Sequence, residues 1–180
     1  IKTAFDRFRE ENRAWLADFS LFMAIKESQN GQQWSLWQKP LKYRDPQALA
    51  DFSEKHAESI EKQQFNQFLF FSQWEKLHAY AKQNGILIIG DVPFVIALDS
   101  ADVWANPNLF LMDAELNPTF VAGVPPDYFS RDGQLWGNPL YNWDVHRAQG
   151  YQWWLDRMAA VLKLVDLVRL DHFRGFAAAW

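Results

Sequence analysis

Apolar residues in the first eighty-odd positions recur at helical spacing. Between Ala4 and Phe19 they fall at 5, 8, 15, 16 and 19 with charges between them, which predicts an amphipathic helix. Phe19 to Glu27 continues the pattern until Asn30-Gly31 supplies a stop. Trp34 to Leu41, punctuated by Pro40, reads as a loop or short turn. Asp45-Pro46 offers an N-cap followed by proline at the first helical position, so a helix is expected from there to about Ile60. Glu61 to Asn84 stays helical, with apolar residues at 65, 68, 69, 71, 74, 77 and 81, and ends at Asn84-Gly85.

The period then changes. Ile86-Leu87-Ile88-Ile89 is a short continuous apolar run before Gly90-Asp91, the pattern of a strand buried on both faces. Val92 to Asn142 holds six of the eight prolines and little periodicity, and a loop of that length is usually functional. Asn142 is placed to cap a helix over 143–163, and Val165 to Leu170 predicts a second buried strand with Asp171 at its end. Residues 1–84 therefore read as mainly helical, and 85–180 as a β-loop-α-β segment whose long loop covers about 92–142. That order is a βαβ rhythm, and the fold class is α/β with parallel strands.

Composition sharpens this picture. The 180 residues are 49% hydrophobic and 17% aromatic with a net charge of -4, which excludes disorder and gives no basic surplus for nucleic acid or an anionic membrane. Without cysteine there is neither disulfide nor thiolate chemistry. Residues 91–180 carry eleven acids, ten of them Asp, against six Lys/Arg. Asp favours caps, turns and sites, so the second half reads as loops and strand ends bearing short carboxylates.

Both predicted strands end in Asp, as Gly90-Asp91 and Leu170-Asp171. Ligands of parallel α/β folds bind at the carboxyl ends of strands, so both acids are site candidates. Period two puts Arg169 and Asp171 on one side of the strand, where the guanidinium would lower the carboxyl pKa and keep it ionised. A carboxylate nucleophile needs that, and a structural ion pair has the same appearance. His172 offers a hydrogen bond to a ligand. The loop supplies Trp104, Phe110, Tyr128, Phe129, Trp136, Tyr141 and Trp143 as platforms for sugar C–H faces or as core. Among them Tyr128, Phe129 and Trp136, set in turn chemistry, are expected to be exposed. Asn106, Asp127, Gln134 and Asn138 suit hydroxyl groups. The histidines lack metal-ligand spacing, Ser100 is not in a GxSxG elbow, and no phosphate-binding glycine motif occurs.

Four long motifs now stand in order: Gly90-Asp91-Val92-Pro93-Phe94-Val95 with Asp99-Ser100-Ala101-Asp102-Val103-Trp104-Ala105-Asn106-Pro107; Gly123-Val124-Pro125-Pro126-Asp127-Tyr128-Phe129-Ser130; Gly133-Gln134-Leu135-Trp136-Gly137-Asn138-Pro139; and Arg169-Leu170-Asp171-His172-Phe173-Arg174-Gly175. Together they resemble the 4-alpha-glucanotransferases (amylomaltase, disproportionating enzyme) of the alpha-amylase clan, and Glu11-Asn12, Trp15-Leu16 and Leu21 to Glu27 extend the likeness through the first half. The resemblance implies a (β/α)8 TIM-type barrel with a helical insertion, incomplete in this chain, and retaining transfer of alpha-1,4-glucan segments.

By that likeness Asp171 is the nucleophile and Arg169 holds it ionised and oriented. Asp91 and His172 bind the sugar in the cleavage subsite. Tyr128, Phe129 and Trp136 lie on the loop that covers the groove and guides the acceptor, and Asp127 and Asn138 remain substrate-binding candidates on the chemistry of their side chains. It implies no organic cofactor, no catalytic metal, maltooligosaccharides as partners, and a cytosolic location in bacteria or a plastid in plants. A barrel takes at least about 200 residues, and retaining chemistry needs a second carboxylic acid about 5–5.5 Å from the nucleophile. In the family that acid is a Glu on the next strand, whereas Glu115 is the only Glu beyond residue 75 here and does not match its motif. The expectation is an internal fragment that needs the remainder of the barrel for activity. An alpha-amylase-clan hydrolase and a non-catalytic glucan-binding module are the alternatives.

Overall fold

The computed structural model describes residues 1–178 and divides into two compact units, Ile1–Trp74 with Asp99–Ala105, and Glu75–Leu98 with the chain from Asn106 onward.

The first unit is helical. Its first predicted helix is split at Asn12 into α1 (Lys2–Glu11) and α2 (Arg13–Ser28). The break falls at Asn12, at φ -112° and ψ 9°, whose side-chain amide donates to the Phe8 carbonyl at 2.9 Å and whose side-chain oxygen accepts from Trp15 Nε1 at 3.1 Å, local bonds made beside those of the backbone. The Asn30-Gly31 stop is realised as a Schellman cap, in which Asn30 takes φ 53° and Gly31 N–H reaches back to the Lys26 carbonyl at 2.8 Å. After a 3-10 turn at Trp34–Leu36 and a single turn α3 (Lys39–Lys42), α4 (Pro46–Lys55) starts where expected, with the Asp45 carboxylate accepting from Ala48 N–H at 2.9 Å. A break at His56 separates it from the long helix α5 (Ala57–Gln83), whose last turns belong to the second unit.

The helical periodicity does the packing. Phe5 meets Phe65 at 5.3 Å, Phe8 meets Phe71 at 5.6 Å, and Trp15 meets Phe71 at 5.7 Å, so the stripe on α1 and α2 lies on the stripe of α5. On its other side α2 buries Phe22 against Trp37 and Trp104, the latter on α6 (Ala101–Ala105). Asp99 ties the start of this segment down: it pairs with Lys26 and accepts from Trp34 N–H at 3.3 Å.

In the second unit β1 (Ile89–Val92) pairs in parallel with β4 (Leu167–Leu170), in the register Ile89↔Leu167 to Val92↔Leu170. Parallel pairing confirms the βαβ rhythm. The predicted positions need correction: β1 begins where the 86–89 run was expected to end, β4 starts at 167 rather than 165, and burial on both faces is not seen. Ile86, Leu87 and Ile89 are 58%, 60% and 68% exposed, because among the described residues these two strands have no further neighbour in their sheet. There is no closed barrel among the described residues.

The long loop also holds structure that period-two reading missed. A 3-10 turn (Pro107–Leu109) precedes an antiparallel hairpin of β2 (Val121–Val124) and β3 (Gln134–Pro139). An irregular register between Val121 and Gly123, and Gly137 at φ 78°, break the alternation that would have revealed it. The helix expected over 143–163 is two: α7 (Trp143–Ala148), capped by Asn142, and α8 (Gln152–Leu162). Gly150 and Tyr151, at φ 63° and 58°, form the break.

An aromatic core of Phe94, Phe110, Tyr141, Trp153 and Trp154 joins these pieces. Within it the Tyr141 hydroxyl donates to the Phe94 carbonyl at 2.7 Å, and His146 Nε2 donates to the Leu109 carbonyl at 3.2 Å. Burial pushes the His146 imidazole below its ordinary pKa, against a smaller opposing effect of that bond. The unfolded chain therefore binds a proton at a pH where the folded one does not, and stability is expected to fall as pH drops below about 6.5. Urea titrations between pH 7.5 and 5 check this: His146→Gln, which keeps a donor for Leu109, should flatten the decline.

Candidate active site

The carboxyl end of the parallel pair gathers the charged motif residues. β1 ends at Val92 and β4 at Leu170, and their register sets Asp91 directly across from Arg169. The guanidinium grips the carboxylate with both arms, Nε to Oδ1 at 3.0 Å and Nη2 to Oδ2 at 2.7 Å. Asp171, two residues on and on the same side, approaches Nη2 at 3.8 Å. The fork therefore belongs to Asp91, and Asp171 takes a longer, purely ionic contact.

The hydrogen bond from Arg169 is the main cause holding the Asp91 carboxyl below the usual carboxylate range, and the same pair raises Arg169. All three side chains are about half exposed or more. Two carboxylates and one guanidinium leave one net negative charge at an open strand end, which suits an uncharged polyol in which positive charge develops.

The backbone turns sharply here. Asp171 N–H donates to the Val92 carbonyl at 3.2 Å, extending the ladder by one bond, and His172 then adopts the left-handed conformation at φ 48°. That turn brings the His172 ring edge-on to Trp136 of β3, with centroids 5.0 Å apart. Gly175, in the 3-10 turn Phe173–Phe176, lies so close to the Phe94 ring that a Cβ there would fall 2.5 Å from Cδ1, which accounts for the glycine in the Asp171-His172-Phe173-Arg174-Gly175 motif.

Other predicted site residues lie elsewhere, Trp104 among them in the helical unit. Asp127 accepts from Phe129 N–H at 2.9 Å and Ser130 N–H at 2.8 Å and so shapes the tip of the hairpin. Tyr128 and Phe129, 97% and 89% exposed, stand at that tip in an edge-on pair. Trp136 is partly exposed and donates to Gln134, whereas the Asn138 amide is spent on the Ile96 carbonyl at 2.7 Å. Trp104, Phe110 and Tyr141 are core. Glu115 lies in a tight turn, where its N–H donates to Asp113. Among the described residues no group of three or more His, Asp or Glu converges in a way that could hold a metal ion, and no helix is long and apolar enough to cross a membrane.

Arg157 went unmarked in the sequence. It donates to the Pro93 carbonyl at 2.7 Å and to Tyr141 Oη at 3.2 Å, and so fixes the chain just beyond Asp91. Its position one turn after Trp153-Trp154, where a cation rests on both indole faces, is the only signal it gave.

Comparison with known proteins gives this geometry its family. A family model described as 4-alpha-glucanotransferase matches residues 1–180. A 4-alpha-glucanotransferase of Aquifex aeolicus is 51% identical over 173 residues, 96% of this chain and 36% of its own length. A chloroplastic/amyloplastic 4-alpha-glucanotransferase of rice, Oryza sativa subsp. japonica, is 46% identical over 182 residues, all of this chain and 31% of its own. Among solved structures, the amylomaltase of Streptococcus agalactiae in complex with acarbose superposes with a TM-score of 0.93 at 42% identity, covering 97% of this chain and 35% of that one. The chain thus spans about a third of the length of the relatives it matches. It belongs to the 4-alpha-glucanotransferase family.

Proposed function

We propose that this chain is the nucleophile-bearing part of a 4-alpha-glucanotransferase that moves alpha-1,4-glucan segments between maltooligosaccharides by a retaining double displacement. The observation that carries the reading is the convergence of Asp91, Arg169 and Asp171 at the carboxyl end of one parallel strand pair. That the related amylomaltase was solved with acarbose supports an oligosaccharide in this position.

In this reading an Asp171 oxygen attacks the anomeric carbon as the glycosidic C–O bond breaks. A carboxylic acid about 5–5.5 Å away protonates the leaving oxygen. That acid comes from the remainder of a (β/α)8 barrel, and so does the cover for the exposed apolar residues Ile86, Leu87 and Ile89. In the second displacement the same group, now a base, takes the proton of an acceptor hydroxyl that attacks the glucosyl-Asp171 ester. Asp91 and His172 bind the sugar on the nucleophile's side. Asp127, Tyr128, Phe129, Trp136 and Asn138 belong to the hairpin that covers the groove, where a water-poor surface favours a sugar acceptor over hydrolysis. The bacterial form would work in the cytosol and the plant form in the plastid.

The test is an incubation of the full-length protein and of residues 1–180 alone with maltotriose. The full-length protein should yield maltopentaose and longer products with one glucose per transfer, and the isolated segment none. Glucose without longer products would assign the hydrolase reading, and disproportionation by the segment alone would overturn the division of the acid and nucleophile between two parts of the chain.

A further inference from the structure

At the opposite end of the strand pair from the charged site, Ile88 and Asp166 are bound by more than a ladder. The Ile88 carbonyl accepts from Asp166 N–H at 3.0 Å and Leu167 N–H at 3.2 Å. The Ile88 N–H in turn donates to the Asp166 side chain, to Oδ2 at 2.9 Å, and His78 Nε2 from the last turns of α5 meets the same oxygen at 2.9 Å. Both side chains are largely buried, His78 at 19% and Asp166 at 14% exposure. The Ile88 N–H, and after it His78, hold the Asp166 carboxyl below the usual carboxylate range.

This clamp matters because few contacts fix the register at that end of the strands. Each strand has four residues, and Ile89 and Leu167 are 68% and 49% exposed, so burial favours one alignment mainly through Val92, which is 2% exposed at the far end of β1. Shape offers one further key beside the clamp: Gly90 lies over Val165, where a Cβ would fall 2.9 Å from a valine methyl, so a slip placing Ile89 or Asp91 there would collide. A register shift would remove Asp91 from its place opposite Arg169.

We infer that Asp166 and His78 form a positioning pair that locks β1 against β4 and thereby places Asp91 and Arg169 around Asp171. Asp166 lies five residues before Asp171, about 16 Å along an extended strand, and does not touch the reacting atoms. Its effect is transmitted by the strand it pins. The inference rests on the transferase reading given above.

The experiment uses the full-length enzyme with maltotriose. Asp166→Ala is expected to lower kcat about tenfold to a hundredfold with KM nearly unchanged. Asp166→Asn, whose amide oxygen still accepts from Ile88 N–H, should restore most of that loss, and His78→Ala should lower kcat less than Asp166→Ala does. Wild-type kcat in a folded Asp166→Ala protein, even with a lower unfolding midpoint, would overturn the inference and leave a stabilising contact only. Loss in Asp166→Asn as deep as in Asp166→Ala would also overturn it, since charge rather than the pinned backbone would then matter. If Asp166→Ala does not fold, wild-type kcat in His78→Ala overturns the pair. An inactive wild type, or an active Asp171→Asn, would sink the transferase reading itself and this inference with it, whereas an active wild type with inactive Asp171→Asn and unaffected Asp166→Ala rejects the positioning role alone.

Discussion

Asp171→Asn in the full-length transferase is expected to abolish maltotriose disproportionation, with kcat down by at least about a thousandfold, while maltooligosaccharides still bind. The substitution keeps shape and removes the anionic oxygen, so no ester to the anomeric carbon forms. Arg169 holds Asp91 at 2.7 Å and Asp171 only at 3.8 Å, and the Asp91 fork should survive the change; folding and sugar binding should therefore be close to wild type. Product chromatography and calorimetric binding measure the two arms. Residual activity above a few per cent would take the nucleophile role from Asp171. Loss of binding together with activity would instead make it a ligand for the sugar.

Trp104→Ala is expected to cost about 3–5 kcal/mol of stability. The indole is 1% exposed and packed between Phe22 and Trp37, at 5.8 and 5.7 Å. Its Nε1–H donates to the Leu41 carbonyl at 3.0 Å, and the Arg44 guanidinium lies 4.2 Å above its ring. Truncation thus opens a cavity, strands a carbonyl and removes the surface on which a partly buried cation rests. Trp104→Phe keeps most of the volume and should cost less than half as much. Urea midpoints of the two variants decide, and a change below about 1 kcal/mol for the alanine would show that the site collapses around the gap.

Reading from sequence succeeded where the determinants are local. Asp45-Pro46, Asn30-Gly31, Asn142 and Gly85 each act within a few residues, and each cap or stop stands where it was expected. The turn residues around Tyr128, Phe129 and Trp136 likewise marked exposed aromatics. Period two was enough to put Arg169 and Asp171 on one side of a strand. It could not show that the guanidinium's first partner is Asp91, because that bond spans 78 residues and depends on a register set at the far end of the strands. The hairpin escaped for a different reason: a bulge and a positive-φ glycine erase the alternation by which strands are recognised. The break at Asn12 is a change of backbone angle with the flanking helix bonds kept, which the apolar spacing does not register.

The parallel pair also orders events in time. On a chain synthesised from its N-terminus, β3 ends at residue 139 and Arg169 follows thirty residues later, an interval of a few seconds at ordinary elongation rates. A hairpin closes in microseconds, so β2 and β3 can form with Asp91 already made and still lacking its counter-ion. Closing the larger loop carries the greater entropic cost, and it comes last. The nascent protein therefore displays Tyr128 and Phe129 before the pairing of Asp91 with Arg169 exists.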